Sequence, residues 1–439
     1  MDVGLVVSTS ADPTAPARVE RLRALAKRSN QVITLAAATG AITGLLVAGF
    51  DRLVVDVIFH RVLRFSSWAI AVTPGVGLLV AYAARRHIGA GASAATADEY
   101  LHAFHDPTHQ LGWRSWAGRM VAAVATLGSG GPMGLEGPSL YTGAIIGSAI
   151  QRRTSRTFRD ADRRVLLVAG AAAGVAAIFK APATGTVFAL EVPYRGDLAR
   201  RMLLPALVAS AAGYLVFVAV NGTDPLFPVE GAPGLMFRDL AGAAVVGVVA
   251  GIGARGFGWM VQSAKRLSVS RHSLIVTVIS GAVIAGLFAA GMALTNDSLV
   301  LGSGYRMLAW ASDPTRSAWV LLAMLVLRSL ATSATVAAGG VGGLFIPLVV
   351  GGAITGALVG GVFNRADLGL FIVIGVAAFL GAGYRVPLAA VMFVAETTGR
   401  PSFVIPGVIA AVVAELIMGH SSVTAYQADP ASTISFSEG

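Results

Sequence analysis

The sequence predicts an all-α polytopic membrane protein made of two inverted-topology repeats with tilted and half-spanning helices. Three observations carry that prediction. Hydrophobic residues make up 55% of the 439 and charged residues only 13%, with a mean hydropathy of +0.73; a soluble domain carries about twice that charged fraction. Apolar runs recur from about residue 31 to residue 420, each bounded by Arg, Asp, Pro or Gly, and no stretch alternates in polarity as a half-buried strand would. Two blocks of sequence also recur in the same order at nearly the same spacing.

Taken in order, residues 1–30 contain Arg18, Glu20, Arg21, Arg23, Lys27 and Arg28. This basic, amphipathic segment lacks the apolar core of a signal peptide and is expected on the cytoplasmic side. Apolar segments follow at about 31–50, 68–84, 115–128, 138–151, 165–192, 202–220, 238–262, 273–295, 318–337, 347–362, 368–381, 386–396 and 402–418. Several fall short of the roughly 20 residues a span needs, or are rich in Gly and broken by Pro, as half-helices are. The membrane domain is expected over 31–425, followed by a polar tail, 426–439, too short for a regulatory domain. The net charge of +10 comes from Arg and Lys in the loops between apolar runs. That is the positive-inside pattern; a nucleic-acid surface would interleave basic and aromatic residues on one face, so no nucleic-acid partner is expected. With no cysteine, disulfides, thiolate ligands and Cys nucleophiles are excluded.

The repeat is the strongest signal. The stretch from Gly134 to Gly147 aligns without gaps on Gly343 to Gly356, with Gly134, Leu135, Pro138, Gly143, Ala144, Ile145 and Gly147 matched at an offset of 209. Lys180-Ala181-Pro182 through Phe188, Glu191 and Arg195 matches Arg385-Val386-Pro387 through Phe393, Glu396 and Arg400 at an offset of 205. The halves are about 31–220 and 237–425. Arg152, Arg153, Arg156, Arg159, Arg163 and Arg164 follow the first Gly-Leu-x-x-Pro helix, whereas only Arg365, beside Asp367, follows the second. Equivalent loops of opposite charge character belong on opposite sides of the membrane. Inverted half-helices point their N-termini at one another near the midplane, and their free N–H groups converge on one anion-sized site.

Glu136 stands at that point, between glycines and Pro138, in a region nearly free of charge. An acid at membrane depth is costly and marks an ion or proton path. Any single glycine pair, such as Gly143 and Gly147, is read as close helix packing. His102 and His105 are loop or interface histidines, lacking a third ligand for a metal. Trp113, Trp116 and Trp319 are interfacial aromatics. Ser129 has no positioned His/Asp partner for nucleophilic chemistry, so no enzyme activity and no cofactor is expected.

The segment Gly128-Ser129-Gly130-Gly131-Pro132-Met133-Gly134-Leu135-Glu136-Gly137-Pro138 resembles the Gly-Arg-Glu-Gly-Pro motif of the CLC chloride channel and chloride–proton antiporter family. The family's Gly-x-Phe-x-Pro motif appears as Gly343-Leu344-Phe345-Ile346-Pro347, and Ala181 to Glu191 and Glu396-Thr397-Thr398-Gly399 are similar to two further family patches. The resemblance covers about 31–425. It implies that backbone N–H groups around Gly134, Leu135, Glu136 and Gly137, and around Gly343, Leu344, Phe345 and Ile346, cradle a dehydrated chloride. The Glu136 carboxylate then occupies an anion position itself and leaves when protonated or displaced. It also implies a homodimer with one pathway per subunit.

Departures from the family are specific. Leu135 replaces the usual Arg, and Arg119 matches a basic position that would keep part of that field. The family's Gly-Ser-Gly-Ile-Pro loop is assigned to Gly89-Ala90-Gly91-Ala92-Ser93, with Ala90 at the anion-coordinating serine. The family's late tyrosine falls at Thr424 by direct alignment, with Tyr426 two residues on, and which of them faces the anion stays open. Val192 stands at the family's second acid. Glu191 is read as structural, capping or pairing near Arg195, and Glu396 likewise.

The expected function is chloride transport in the plasma (inner) membrane through a pathway gated by Glu136, as channel or chloride/proton antiporter. The alternative is an inverted-repeat transporter for another anion, such as fluoride, nitrate or a small organic anion.

Overall fold

The computed structural model describes residues 15–154, 164–223, 237–363 and 368–429, and the elements there are helical apart from two isolated bridges. The first half comprises α1 (Ala15–Asp51), a π-helical stretch (Arg52–Phe59) leading into the short α2 (His60–Val62), α3 (Ser67–Ala83), α4 (Thr96–His105), α5 (Trp113–Gly128), α6 (Glu136–Arg153), α7 (Val165–Phe179), α8 (Pro182–Glu191) and α9 (Leu203–Asn221). The second comprises α10 (Phe237–Ser268), α11 (Ser273–Thr295), α12 (Tyr305–Ala311), α13 (Ala318–Ala337), α14 (Phe345–Val362), α15 (Gly369–Tyr384), α16 (Pro387–Thr398) and α17 (Val404–Met418). Among the described residues, seven helical stretches are long and apolar enough to cross a membrane, whereas α7, α15, α16 and α17 are apolar but shorter.

Three elements differ from the sequence expectation. The apolar run 165–192 is two helices, because Lys180 takes a left-handed conformation and Pro182 opens α8. Helix α4 was not expected at all. Its sequence, Thr-Ala-Asp-Glu-Tyr-Leu-His-Ala-Phe-His, is too polar for a hydropathy search, yet six of its residues are buried. Helix α1 runs unbroken across the expected boundary at residue 30. The tail from residue 430, together with Arg156, Arg159, Arg163, Arg365 and Asp367, lies outside the described residues.

Packing repeats between the halves. Helix α6 lies on α7 as α14 lies on α15, α1 lies on α9 as α10 lies on α17, and the equivalent pairs α3/α11 and α8/α16 meet each other. Within a bilayer, burial against lipid gives no hydrophobic gain, so close van der Waals packing of small residues drives association. A Cβ on Gly143 would strike the carbonyl of Gly170, and one on Gly352 would strike the carbonyl of Gly375. Gly75 and Gly281 approach backbone to backbone in the same way, where α3 meets α11. The packing reading of Gly143 and Gly147 is therefore what the helices use.

Two further repeats appear only in three dimensions. Arg119 and Arg328, 209 residues apart, are 3% and 2% exposed. The Arg119 guanidinium donates to the Ser93 carbonyl (2.7 Å), and Arg328 donates to the carbonyls of Leu299 (3.2 Å), Val300 (2.7 Å), Leu301 (3.0 Å) and Gly302. Each arginine pins the loop that leads into a short helix, α4 or α12. Asp106-Pro107-Thr108 and Asp313-Pro314-Thr315 form matching turns, in which each aspartate accepts from the threonine hydroxyl at 2.6 Å and from its amide at 2.8 Å and 2.9 Å. The threonine hydroxyl, and then the amide, hold both carboxyls below the ordinary carboxylate range.

Candidate functional site

The two Gly-Leu-x-x-Pro motifs meet head to head. Gly134 N–H donates to the Gly343 carbonyl (2.9 Å) and Gly343 N–H donates to the Gly134 carbonyl (2.7 Å), an antiparallel bridge on the pseudo-twofold axis between the halves. Two residues beyond each bridging glycine, α6 begins at Glu136 and α14 at Phe345. Pro138 and Pro347 stand at the third position of their helices and bring no N–H of their own. The donors that face the junction are therefore the N–H groups of the first two residues in each helix.

Glu136 reaches across this junction. Its Oε1 accepts from Phe345 N–H (2.6 Å) and, more weakly, from Ile346 N–H (3.4 Å), so the carboxylate caps the N-terminus of α14. The side chain is 3% exposed, and Oε2 has no hydrogen-bond partner. Gly134 and Gly343 leave the space the carboxylate fills, since a Cβ on either would overlap it. Phe345, fully buried, closes one flank within an aromatic cluster: Phe179 at 4.2 Å, Phe393 at 5.0 Å, Phe188 at 5.5 Å and Tyr384 at 6.4 Å between centroids.

Cavities lie on both sides of the junction. A vestibule of about 810 Å³ is lined by Ser93 to Glu99, Gly342, Gly343, Leu344, Tyr384 and residues 423–426. A smaller cavity of about 170 Å³ is lined by Leu127, Met133, Leu135, Ser303, Gly304 and Tyr305. Met133, three residues before Glu136, borders both. In the vestibule Asp98 pairs with Lys265 (2.6 Å), and Glu99 pairs with Arg119 (2.9 Å) and touches His109 (3.2 Å). Arg85 and Arg266 line the same space, and no acid among the described residues pairs with either, so its walls carry positive charge.

The junction brings together Gly134, Leu135, Glu136, Gly137, Gly343, Leu344, Phe345 and Ile346 as the sequence suggested, and leaves three expected residues apart. Ala90 is exposed, in a left-handed turn, and does not line the vestibule. Gly91, Ala92 and Ser93 of the expected loop do line it, together with Ala94 and Ala95, which precede the start of α4 at Thr96. Thr424 lines the vestibule, but its hydroxyl pairs with Ser422 Oγ (3.0 Å). Tyr426 also lines the vestibule, but it is 56% exposed and stacks on His102 at 4.8 Å. Arg119 does not aim its charge at Glu136; it is spent on Glu99, with its guanidinium over the Tyr141 ring. Thr96 and Tyr384 also line the vestibule. Neither belongs to a repeated motif, and the nearest signal for Thr96, an N-terminal threonine followed by Asp98 and Glu99, marks only a helix start.

Glu191 and Glu396 each cap a helix of the other half. Glu191 accepts from the amides of Leu388 (3.0 Å) and Ala389 (2.8 Å) at the start of α16. Glu396 accepts from those of Ala183 (2.8 Å) and Thr184 (2.6 Å) at the start of α8. Each half thus caps a helix of the other, and Arg195 pairs instead with Asp429 (3.4 Å). Trp113 and Trp319 are exposed, as interfacial residues are; Trp116 is partly buried and donates to Thr142 Oγ1 (3.0 Å).

Facing half-helix N-termini around one buried carboxylate, between two cavities of a polytopic helical bundle, define an anion transporter of the CLC fold. The chain belongs to the voltage-gated chloride channel family, whose sequence profile matches residues 76–419. It transports anions and is not an enzyme. The H(+)/Cl(-) exchange transporter ClcA of Citrobacter koseri is 26% identical over 424 residues, covering 91% of this chain and 88% of that one. ClcA of Vibrio cholerae is 28% identical over 322 residues, covering 70% and 68%. Among solved structures, a slow cyanobacterial Cl-/H+ antiporter superposes with a TM-score of 0.77 at 19% identity, over 88% of this chain and 94% of that one. A CLC-type fluoride/proton antiporter superposes with a TM-score of 0.78 at 21% identity, over 91% and 98%.

Proposed function

We propose that this protein exchanges chloride for protons across a plasma (inner) membrane, with Glu136 as both gate and proton acceptor. One observation carries the reading: a buried carboxylate caps α14 where an anion would sit, with one oxygen unpartnered. A carboxylate and a chloride satisfy the same N–H donors, so one displaces the other. Protonation removes the charge that holds Glu136 there and frees the donors for an anion. Proton and anion then compete for a single place, which is the requirement for exchange. The curated bacterial relatives, which carry the name of H(+)/Cl(-) exchange transporters, support this reading. Val192 lies where the resemblance expected a second acid, so proton coupling is expected to be weak.

Purified protein in liposomes, with chloride efflux and pH followed together, tests the proposal. Proton movement against its gradient establishes exchange. Chloride flux no faster than in empty liposomes would sink the transport reading, and flux without proton movement would make the protein a passive channel. Glu136→Ala is expected to abolish proton coupling while leaving anion flux. Replacing chloride by fluoride or nitrate in the same assay separates the alternative anions. We also propose a homodimer, on the family resemblance; a monomer by light scattering in mild detergent would overturn that.

A further inference from the structure

Asp51 is a titratable group within a membrane span that the exchange mechanism leaves without a role. It closes α1, inside the span Ser29–Val62, and an ionisable residue at such depth marks a proton or ion path. Its Oδ2 accepts from Asn221 Nδ2 (2.9 Å), and no cation among the described residues pairs with it. Arg52, the next residue, donates instead to the Val220 carbonyl. The charged groups that reach Asp51 are Asp56, Lys180 and Arg52. The π-helical stretch Arg52–Phe59 closes its turns over five residues, which brings Asp56 over Asp51. His60 stands 3.7 Å from Asp56, and both side chains are more than half exposed. One polar face therefore runs from a partly buried acid to the surface.

Tyr305 connects this face to the gate. It opens α12 and lines the smaller cavity, where Leu127, Met133, Leu135 and Leu301 make the walls apolar. The charged groups at that cavity are Arg306, paired with Asp297 (2.6 Å), and His60. The Tyr305 phenol lies within electrostatic range of both Glu136 and Asp51 and has no hydrogen-bond partner among the described residues. Its place is fixed by Arg328, which holds the carbonyls of residues 299–302, and by Gly304, whose left-handed backbone turns the chain into α12. Glu136 Oε2 is equally unpartnered. A cavity of about 170 Å³ has room for water, and a phenol both donates and accepts, so Tyr305 can link the two carboxyls.

Resting on the exchange reading above, we propose that Tyr305 and Asp51 carry the proton between Glu136 and the membrane surface on the side of the smaller cavity. The O–H bond of protonated Glu136 breaks as its proton passes to the Tyr305 oxygen, directly or over cavity water. The Tyr305 hydroxyl proton passes on to the Asp51 carboxylate in the same step. Tyr305 is neutral before and after, Glu136 ends as the carboxylate, and Asp51 ends as the acid and releases the proton to surface water. The reverse order loads Glu136. Chloride needs neither residue, because its donors are the amides at the starts of α6 and α14.

Liposome exchange, with chloride and proton movement recorded together, tests this. Tyr305→Phe and Asp51→Asn are each expected to lower the protons moved per chloride about tenfold, while chloride efflux stays within about threefold of the wild type. Asp51→Glu, which keeps the acid, is expected to keep that ratio within about twofold. Asp56→Asn and His60→Gln, which alter exposed groups outside the route, are expected to keep it equally well. A loss in Asp51→Glu or Asp56→Asn as large as that in Asp51→Asn would overturn the assignment, as would chloride efflux that falls in step with the protons. Wild-type protein that moves chloride without protons would defeat the exchange reading and this one with it. Wild-type exchange whose proton-to-chloride ratio survives in Tyr305→Phe or Asp51→Asn would defeat this one alone.

Discussion

Glu136 is held by two backbone amides and pairs with no cation among the described residues, so its grip on the junction depends on geometry more than on ion pairing. The residues that make room for it are Gly134 and Gly343. Gly343→Ala is therefore expected to push the carboxylate off α14 without altering its chemistry. Chloride efflux from liposomes should rise, and proton coupling should fall toward the Glu136→Ala level; wild-type coupling in Gly343→Ala would show that the carboxylate tolerates the crowding. The pH dependence has a definite sign. Acid protonates Glu136 and removes its claim on the donors, so wild-type flux should increase as pH falls, and Glu136→Ala should be flat over the same range. Leu135 explains why no fixed cation assists: the residue that would carry one is apolar, 4% exposed, and lines the smaller cavity.

At the scale of elements, the half-helices are stabilised by exchange between the repeats. Glu191 caps α16 and Glu396 caps α8, each through two amides of the other half. Loss of an N-terminal cap costs about 1 kcal/mol. Glu191→Gln and Glu396→Gln are expected to lower the thermal midpoint in detergent by similar amounts, with proton coupling kept in both; lost coupling in Glu191→Gln would instead assign it to the proton path. Arg328 is a different case. Removing it strands four buried loop carbonyls, so Arg328→Met should cost roughly 3 kcal/mol or more in a thermal or denaturant melt. Helix α12, whose approach that loop shapes, should loosen first, as hydrogen exchange would detect.

At the scale of the molecule, the pseudo-twofold axis passes through three close contacts: Gly134 with Gly343, α3 with α11 at Gly75 and Gly281, and α8 with α16. Backbones that approach this closely leave no volume for a side chain. Gly75→Leu and Gly281→Leu lie at equivalent points and should destabilise alike, by about 1–3 kcal/mol each. The pair should be less than additive, because one insertion already separates the two helices; strict additivity in unfolding midpoints would mean that the contact is not shared.

What the sequence alone determined is whatever a local pattern or an internal offset can carry. Composition and apolar runs established the polytopic membrane class. The 209-residue offset paired Gly134 with Gly343 and singled out Glu136 against Phe345, and Pro138 and Pro347 marked where both helices begin. The same offset relates Arg119 to Arg328, and a nearby one relates Asp106-Pro107-Thr108 to Asp313-Pro314-Thr315, but single residues and short turns stand out only once their geometry is known. Tertiary structure decided everything that depends on a side chain meeting backbone from a distant part of the chain. It kept Ala90 out of the vestibule, stacked Tyr426 on His102 at the vestibule wall, and brought Tyr384 to the same space. It also made Glu191 and Glu396 caps for each other's halves. The physical reason is clearest in the two caps. A free N–H finds its partner through space, and an inverted repeat sets those partners about 200 residues apart, beyond the reach of any local signal.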